Sequence, residues 1–74
     1  MEMLNKELVR ELRDRFPVGC RVELVYMDDT QAPPTGTLGT VYGVDDIGTI
    51  HIDWDNGCGL GIAYGVDKCR KISS

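Results

Sequence analysis

No apolar run in this chain exceeds a few residues, and no basic segment leads into a hydrophobic one. Neither a membrane span nor a signal peptide is therefore expected, and the reading is of a cytoplasmic protein. Cysteine is sparse: Cys20, Cys58 and Cys69 make an odd set without a CxxC spacing, which argues against a disulfide framework and fits a reducing compartment. Positive charge is in short supply as well. Residues 1–18 carry four acids and four bases, whereas residues 19–74 carry eight acids against four bases and so hold the whole net charge of -4. An acidic segment repels phosphate backbones, so direct DNA or RNA binding is disfavoured. Repeats and low-complexity tracts are missing, and tryptophan, phenylalanine and histidine occur once each.

What is present describes an ordinary globular domain, with 42% hydrophobic and 27% charged residues. A chain of 74 residues makes one domain with a small core, burying about 60% of the surface its unfolded form exposes. In MEMLNKELVRELRDRFP, Leu8, Leu12 and Phe16 recur every fourth residue with Val9 beside them, which predicts an amphipathic helix within residues 1–16. Asn5 suits the N-cap, Leu4 and Val9 suit a hydrophobic staple, and Pro17 ends the helix at Phe16 or earlier. Its apolar stripe is expected to cover one end of a sheet, with dimerisation or partner contact as the other use of such a face.

After Pro17 the period changes from four to two. Cys20, Val22, Leu24 and Tyr26 alternate with polar or smaller neighbours, as in a strand with one face buried. A loop over residues 28–36 follows, because two acids, Pro33-Pro34 and Gly36 cannot continue a ladder. Further strands are expected over 38–44, 49–54, 58–63 and 68–72, and five short strands with tight turns suggest a small barrel over residues 17–74.

Register decides how IHIDWDNGCGLGIAY folds. A two-residue type I′ turn at Asn56-Gly57 would split its apolar set between two faces. A three-residue loop with Gly57 left-handed instead pairs Trp54 with Cys58, Ile52 with Leu60 and Ile50 with Ile62. The second register is expected, because each aliphatic side chain exposed by a slip forfeits ~1.5 to 3 kcal/mol. Continued across residues 45–48, it sets Gly39, Val41 and Gly43 opposite Trp54, Ile52 and Ile50, the glycines making room for the indole. Thr40, Tyr42, His51 and Asp53 then share a wet face, with Tyr42 across from His51.

That register also separates the chemistry-bearing groups. Cys58 faces inward and His51 outward, so neither a zinc site nor a Cys–His nucleophile is expected; small buried cysteines are the simpler reading. The pairs Asp28-Asp29 and Asp45-Asp46 lack EF-hand spacing and suit turns. Residues 57–61 have glycines but no following helix, so they form no phosphate loop. No catalytic residue, metal or cofactor is assigned.

The combination of MDD, APP-T-G, G-T-V, VDD-G, WDNG and YGVD over residues 10–72 resembles a family of short bacterial proteins known as domain of unknown function 4314, often carried on mobile elements of Gram-positive bacteria. The resemblance implies an SH3-like barrel and offers no biochemical activity. More loosely, Gly39-Thr40-Val41, Trp54-Asp55-Asn56-Gly57 and Tyr64 look like the mind-bomb-type SH3-like domain, which binds peptide segments. The expected fold is thus mainly β, a five-stranded SH3-like barrel preceded by one helix.

The expected function is non-enzymatic binding of a protein or peptide segment at the barrel rim. Loops on a rigid scaffold carry such sites, and the candidates are Tyr26, Asp28, Asp29, Pro33 and Pro34 from the long loop, Asp55 and Asn56 from the turn, and Tyr64. Trp54 is assigned to the core. A basic or extended peptide would suit the acidic loops. The alternatives are a nucleic-acid-associated factor using Arg21, Lys68, Arg70 and Lys71 as a basic strip, and a metal-binding module or small enzyme. Oligomeric state stays open between monomer and homodimer.

Overall fold

The computed structural model describes residues 6–72. One helix, α1 (Lys6–Arg15), precedes β1 (Arg21–Tyr26), β2 (Leu38–Val44), β3 (Thr49–Trp54), β4 (Ile62–Ala63) and β5 (Lys68–Lys71). The N-cap and staple positions, Asn5 and Leu4, lie outside the described residues. The helix buries Val9 and Leu12, and Phe16 follows as one more turn of the same stripe, its N–H donating to the Leu12 carbonyl at 2.8 Å. On its other side Arg13 donates from Nε and Nη2 to the Val44 carbonyl, at 3.1 and 3.0 Å, and reaches Asp46 Oδ1 at 3.1 Å. The helix is thereby fastened to the β2–β3 hairpin as well as packed on the core.

The protein is mainly β. Its five strands form one antiparallel sheet in the order β4-β3-β2-β1-β5. Among the described residues no ladder joins β4 to β5, so the closed barrel expected from the sequence is not formed. The reason lies in the strand expected over residues 58–63, of which only Ile62–Ala63 pairs. Trp54 N–H reaches the Cys58 carbonyl at a long 3.4 Å, and the Leu60 carbonyl accepts the Trp54 indole N–H at 2.7 Å. Residues 58–61 therefore serve the tryptophan instead of a ladder.

Of the three expected cross-strand pairs only Ile50 with Ile62 forms in the ladder, in the expected register, whereas Ile52 with Leu60 and Trp54 with Cys58 do not. Gly57 has a φ of 88°, its N–H donates to the Trp54 carbonyl at 2.9 Å, and no described non-glycine residue has a positive φ. A type I′ turn would need Asn56 at positive φ and is excluded. Trp54 is 1% exposed, in a cluster with Leu12, Leu24, Val41, Ile52 and Ile62. Cys20 is buried, whereas Cys58 and Cys69 are only half-buried at the cluster's margin.

Two bulges correct the expected alternation. In β1 the register shifts between Leu24 and Tyr26, so Tyr26 turns outward at 51% exposure and Met27 takes the inward place at 8%. In β2 the shift falls between Val41 and Gly43, so His51 faces Gly43, not Tyr42, and Ile50 faces Val44, not Gly43. Each bulge exchanges a residue that can face water or has no side chain for an apolar one, and burying such a side chain outweighs one disrupted ladder pair. Tyr42 still rests on His51, with ring centroids 5.7 Å apart, and the Thr40, Tyr42, His51 and Asp53 face is partly or fully open to solvent.

The two strand glycines thus play different parts. A Cβ at Gly39 would stand 2.5 Å from Ile52 Cγ2, 2.8 Å from Trp54 Cε3 and 3.1 Å from the Asp53 carbonyl oxygen, whereas one at Gly43 would meet nothing within 4 Å. Gly39→Ala should lower unfolding stability by about 1–3 kcal/mol, the usual cost of overpacking. Gly43→Ala should stay within about 0.5 kcal/mol of the parent. Urea unfolding followed by Trp54 fluorescence checks both, and equal midpoints for the two variants would contradict the packing described.

Candidate functional site

The expected binding residues do not form one cluster. Tyr26 lies opposite Lys68, and the Asp28 N–H donates to Asp67 Oδ1 at 2.9 Å. The other Asp67 oxygen accepts the Ala63 N–H at 2.9 Å, so this carboxylate ties the long loop to the turn that carries Tyr64. Tyr26, Asp28 and Tyr64 are all exposed around that tie.

The remaining candidates have structural work nearby. Asp29 Oδ1 accepts the Gln31 N–H at 2.7 Å, and the Pro34 carbonyl accepts both the Thr37 N–H at 3.0 Å and its hydroxyl at 2.6 Å. Pro33 is buried, so it supports the loop and offers no binding surface. Asn56 Oδ1 accepts the Cys58 N–H at 3.0 Å, closing its own turn. Asp55 takes both terminal nitrogens of Arg21, while Arg21 Nη1 also donates to the Thr40 hydroxyl at 2.8 Å. With Arg70 held by Glu23, two of the four cations proposed for a basic strip are engaged by carboxylates.

The feature with the shape of a site is a groove at the open seam of the sheet. It encloses about 420 Å³ between β4 and β5 under the end of α1. Leu12, Phe16, Val25, Ile50, Ile62 and Cys69 make it apolar, and Arg15, Tyr64, Asp67 and Lys68 supply polar edges. A second cleft, bordered by Arg70 and Lys71, continues from it along β5 and shares Arg15, Phe16 and Cys69 with it. Of the peptide-binding candidates read from the sequence, Tyr64 alone lines this groove, joined by Lys68 from the basic strip. The others were missed because they come from five separate elements, and no local pattern unites them. An apolar residue, Val25, at an outward position of β1 is the one local signal that pointed to it.

A second polar cluster lies on the wet face. Asp45 Oδ1 accepts the N–H groups of Ile47 at 3.1 Å and Thr49 at 2.9 Å, and its Oδ2 lies 2.9 Å from His51 Nε2. Burial disfavours the Asp45 charge, but the Thr49 N–H, the His51 ring and the Ile47 N–H together outweigh it and hold the carboxyl below its ordinary range. The geometry is that of a turn closed by an aspartate, as its loop position suggested. The thiols differ. Burial pushes Cys69 up to about 11, with the neighbouring Cys20 adding to the rise and Arg15 opposing it. Burial likewise raises Cys20. Both are protonated at neutral pH, and a protonated thiol is a poor nucleophile and metal ligand.

The family model for "Domain of unknown function (DUF4314)" matches residues 5–72, from the helix through β5. The chain belongs to this family. No curated protein and no solved structure gives a significant match. Among the described residues of this DUF4314 domain, no group of three or more His, Cys, Asp or Glu side chains is placed to hold a metal ion. Nor is any of its described helices long and apolar enough to cross a membrane.

The Asp45 turn sets an acid limit on the DUF4314 fold. A carboxyl depressed by folding contributes stability that is complete above its unfolded pKa, near ~3.9, and is lost as the pH falls through the lower folded value. Asp45→Ala, which leaves two N–H groups without their acceptor, should lower stability at pH 7 by about 1–2 kcal/mol. Below the ordinary aspartate value of ~3.9 the gap to the parent should narrow. Carboxyl-detected NMR titration with unfolding at matched pH measures both, and a gap independent of pH would contradict the assignment.

Proposed function

We propose that this DUF4314 domain is a non-enzymatic, SH3-like interaction module that takes an extended segment of another protein into the groove between β4 and β5. The groove carries the proposal: it is concave, largely apolar, bounded by two strand edges that do not pair with each other, and rimmed by the exposed Tyr64. Apolar concavities with a few polar groups at the edge are the usual form of a binding site. A tyrosine at such a rim offers broad contact area at little entropic cost. The binding surface is therefore moved from the acidic loop tip and the Asp55-Asn56 turn toward the seam, with Tyr26 and Asp28 as its neighbours. A nucleic-acid role has less support, since Arg21 and Arg70 are engaged by Asp55 and Glu23.

Selection of a random-peptide phage library against the 74-residue chain, with the enriched peptides titrated into ¹⁵N-labelled protein, tests this reading. Amide shifts should gather at Arg15, Tyr64, Lys68 and Cys69, and Tyr64→Ala should weaken binding about tenfold or more without altering the unfolding midpoint. A selection that enriches nothing would refute the proposal, as would shifts centred on Thr40, Tyr42, His51 and Asp53.

A further inference from the structure

Among the described residues, the strand that borders the groove has one paired and one unused edge. Ile72 donates its N–H to the Arg21 carbonyl of β1 at 3.0 Å, and Arg70 faces Glu23. Backbone groups alternate in direction along an antiparallel ladder, so those of Arg70 turn toward β1 and those of Cys69 and Lys71 turn away from it. The opposing strand is in the same phase: Leu24, across from Cys69, sends its N–H to Thr37 and accepts from Gly36 on the β2 side. The outward N–H and C=O groups of Cys69 and Lys71 therefore run along the continuous groove that extends from Tyr64 to Arg15 and Lys71.

Charge along this edge runs against that of the molecule. In a chain of net charge -4, the groove is bordered by Arg15, Lys68, Arg70 and Lys71. Of the acids beside it, Asp67 is committed to the Asp28 and Ala63 N–H groups and Glu23 to Arg70, while the exposed Asp28 lies at the Tyr64 end, away from Arg70 and Lys71. Lys68 and Lys71 are exposed.

These observations choose among occupants. A second copy joined edge to edge through β5 would set the Lys-Cys-Arg-Lys strand against itself, cation opposite cation, which destabilises a strand pair. A phosphate chain accepts hydrogen bonds but does not donate them, so it would leave the outward carbonyls of Cys69 and Lys71 unmatched, and the acidic remainder of the protein would repel its continuation. An extended polypeptide matches the donors and acceptors in turn, and acidic side chains match the cations.

We propose that the groove receives an acidic, extended polypeptide segment that joins the free edge of β5 as a sixth strand, seating an apolar side chain between Ile62 and Cys69 and bringing carboxylates to Lys68 and Arg70 on the opposite face. The proposal rests on the reading of the domain as a peptide-binding module and specifies the chemistry of its partner.

Three synthetic peptides with the same alternating valines, and with glutamate, glutamine or lysine at the intervening positions, are titrated at low ionic strength into the ¹⁵N-labelled chain. The glutamate peptide should bind about tenfold or more tightly than the lysine peptide. The Cys69 and Lys71 amides should gain protection from hydrogen exchange, and the K68E variant should abolish the preference for the glutamate peptide. Equal binding of all three peptides at the groove would overturn the acidic assignment while leaving the binding module intact, whereas no response of the groove to any peptide would overturn both. Binding without protection at Cys69 and Lys71 would overturn the sixth strand. An oligothymidylate that moves the same amides more strongly than the glutamate peptide would overturn the polypeptide assignment.

Discussion

An indole with one polar atom can be buried in a core this small only if its bulk is given room and its N–H a partner, and both conditions are met around Trp54. Room comes from Gly39 on the neighbouring strand, where even a methyl group would collide with the ring and with Ile52. The partner is the Leu60 carbonyl at 2.7 Å. An unmatched buried donor costs about 1–3 kcal/mol, so that bond is not optional. Its consequence reaches past the core. Residues 58–61 curl over the tryptophan in place of pairing with β3, β4 is reduced to Ile62–Ala63, and the sheet cannot zip closed against β5. The groove at the seam follows from how the tryptophan is housed.

Arginine and lysine divide the surface between them. Arg13, Arg21 and Arg70 each reach a carboxylate on a different element, joining α1 to the β2–β3 turn, β1 to the β3–β4 turn, and β5 to β1. Exposed pairs of this kind contribute little to stability, typically ~0–1 kcal/mol. They do set where the turns lie, because a planar guanidinium binds in a fixed geometry. Lysine, a flexible point charge, occupies both ends of the edge strand at Lys68 and Lys71. Lysine on an edge also discourages pairing between like strands, so protection against self-association and attraction for an acidic strand have the same physical source.

Local sequence was a good guide wherever one element's own pattern decided the outcome. The helix stripe of Val9, Leu12 and Phe16, the bounds of β2 and β3, the left-handed Gly57 and the inward Trp54 were all legible, because burial of an alternating or four-residue set admits one register and a slip would expose several aliphatics. Bulges were not legible. Nothing local marks Val25 or Tyr42 as the extra residue; each is displaced because Met27 and Val44 find space on the far side of the fold. The candidate site suffered most. Pro33 looked available and is buried, Asp55 and Asn56 looked like recognition residues and are committed to Arg21 and Cys58, and Arg15 and Lys68, some fifty positions apart, become neighbours only at the seam.

The chain's order of residues determined by itself a mainly β domain with one amphipathic helix, the hairpin register that buries the tryptophan, and a shortage of positive charge, since periodicity, turn chemistry and composition act over a few residues or over the sum of all. Whether the sheet closes, which loop residues remain free, and where the scarce cations gather were decided by tertiary structure, because each depends on groups from distant segments competing for the same space and the same hydrogen bonds. The Leu60 carbonyl is the clearest instance: it can serve a ladder or an indole, and only the assembled core selects the indole.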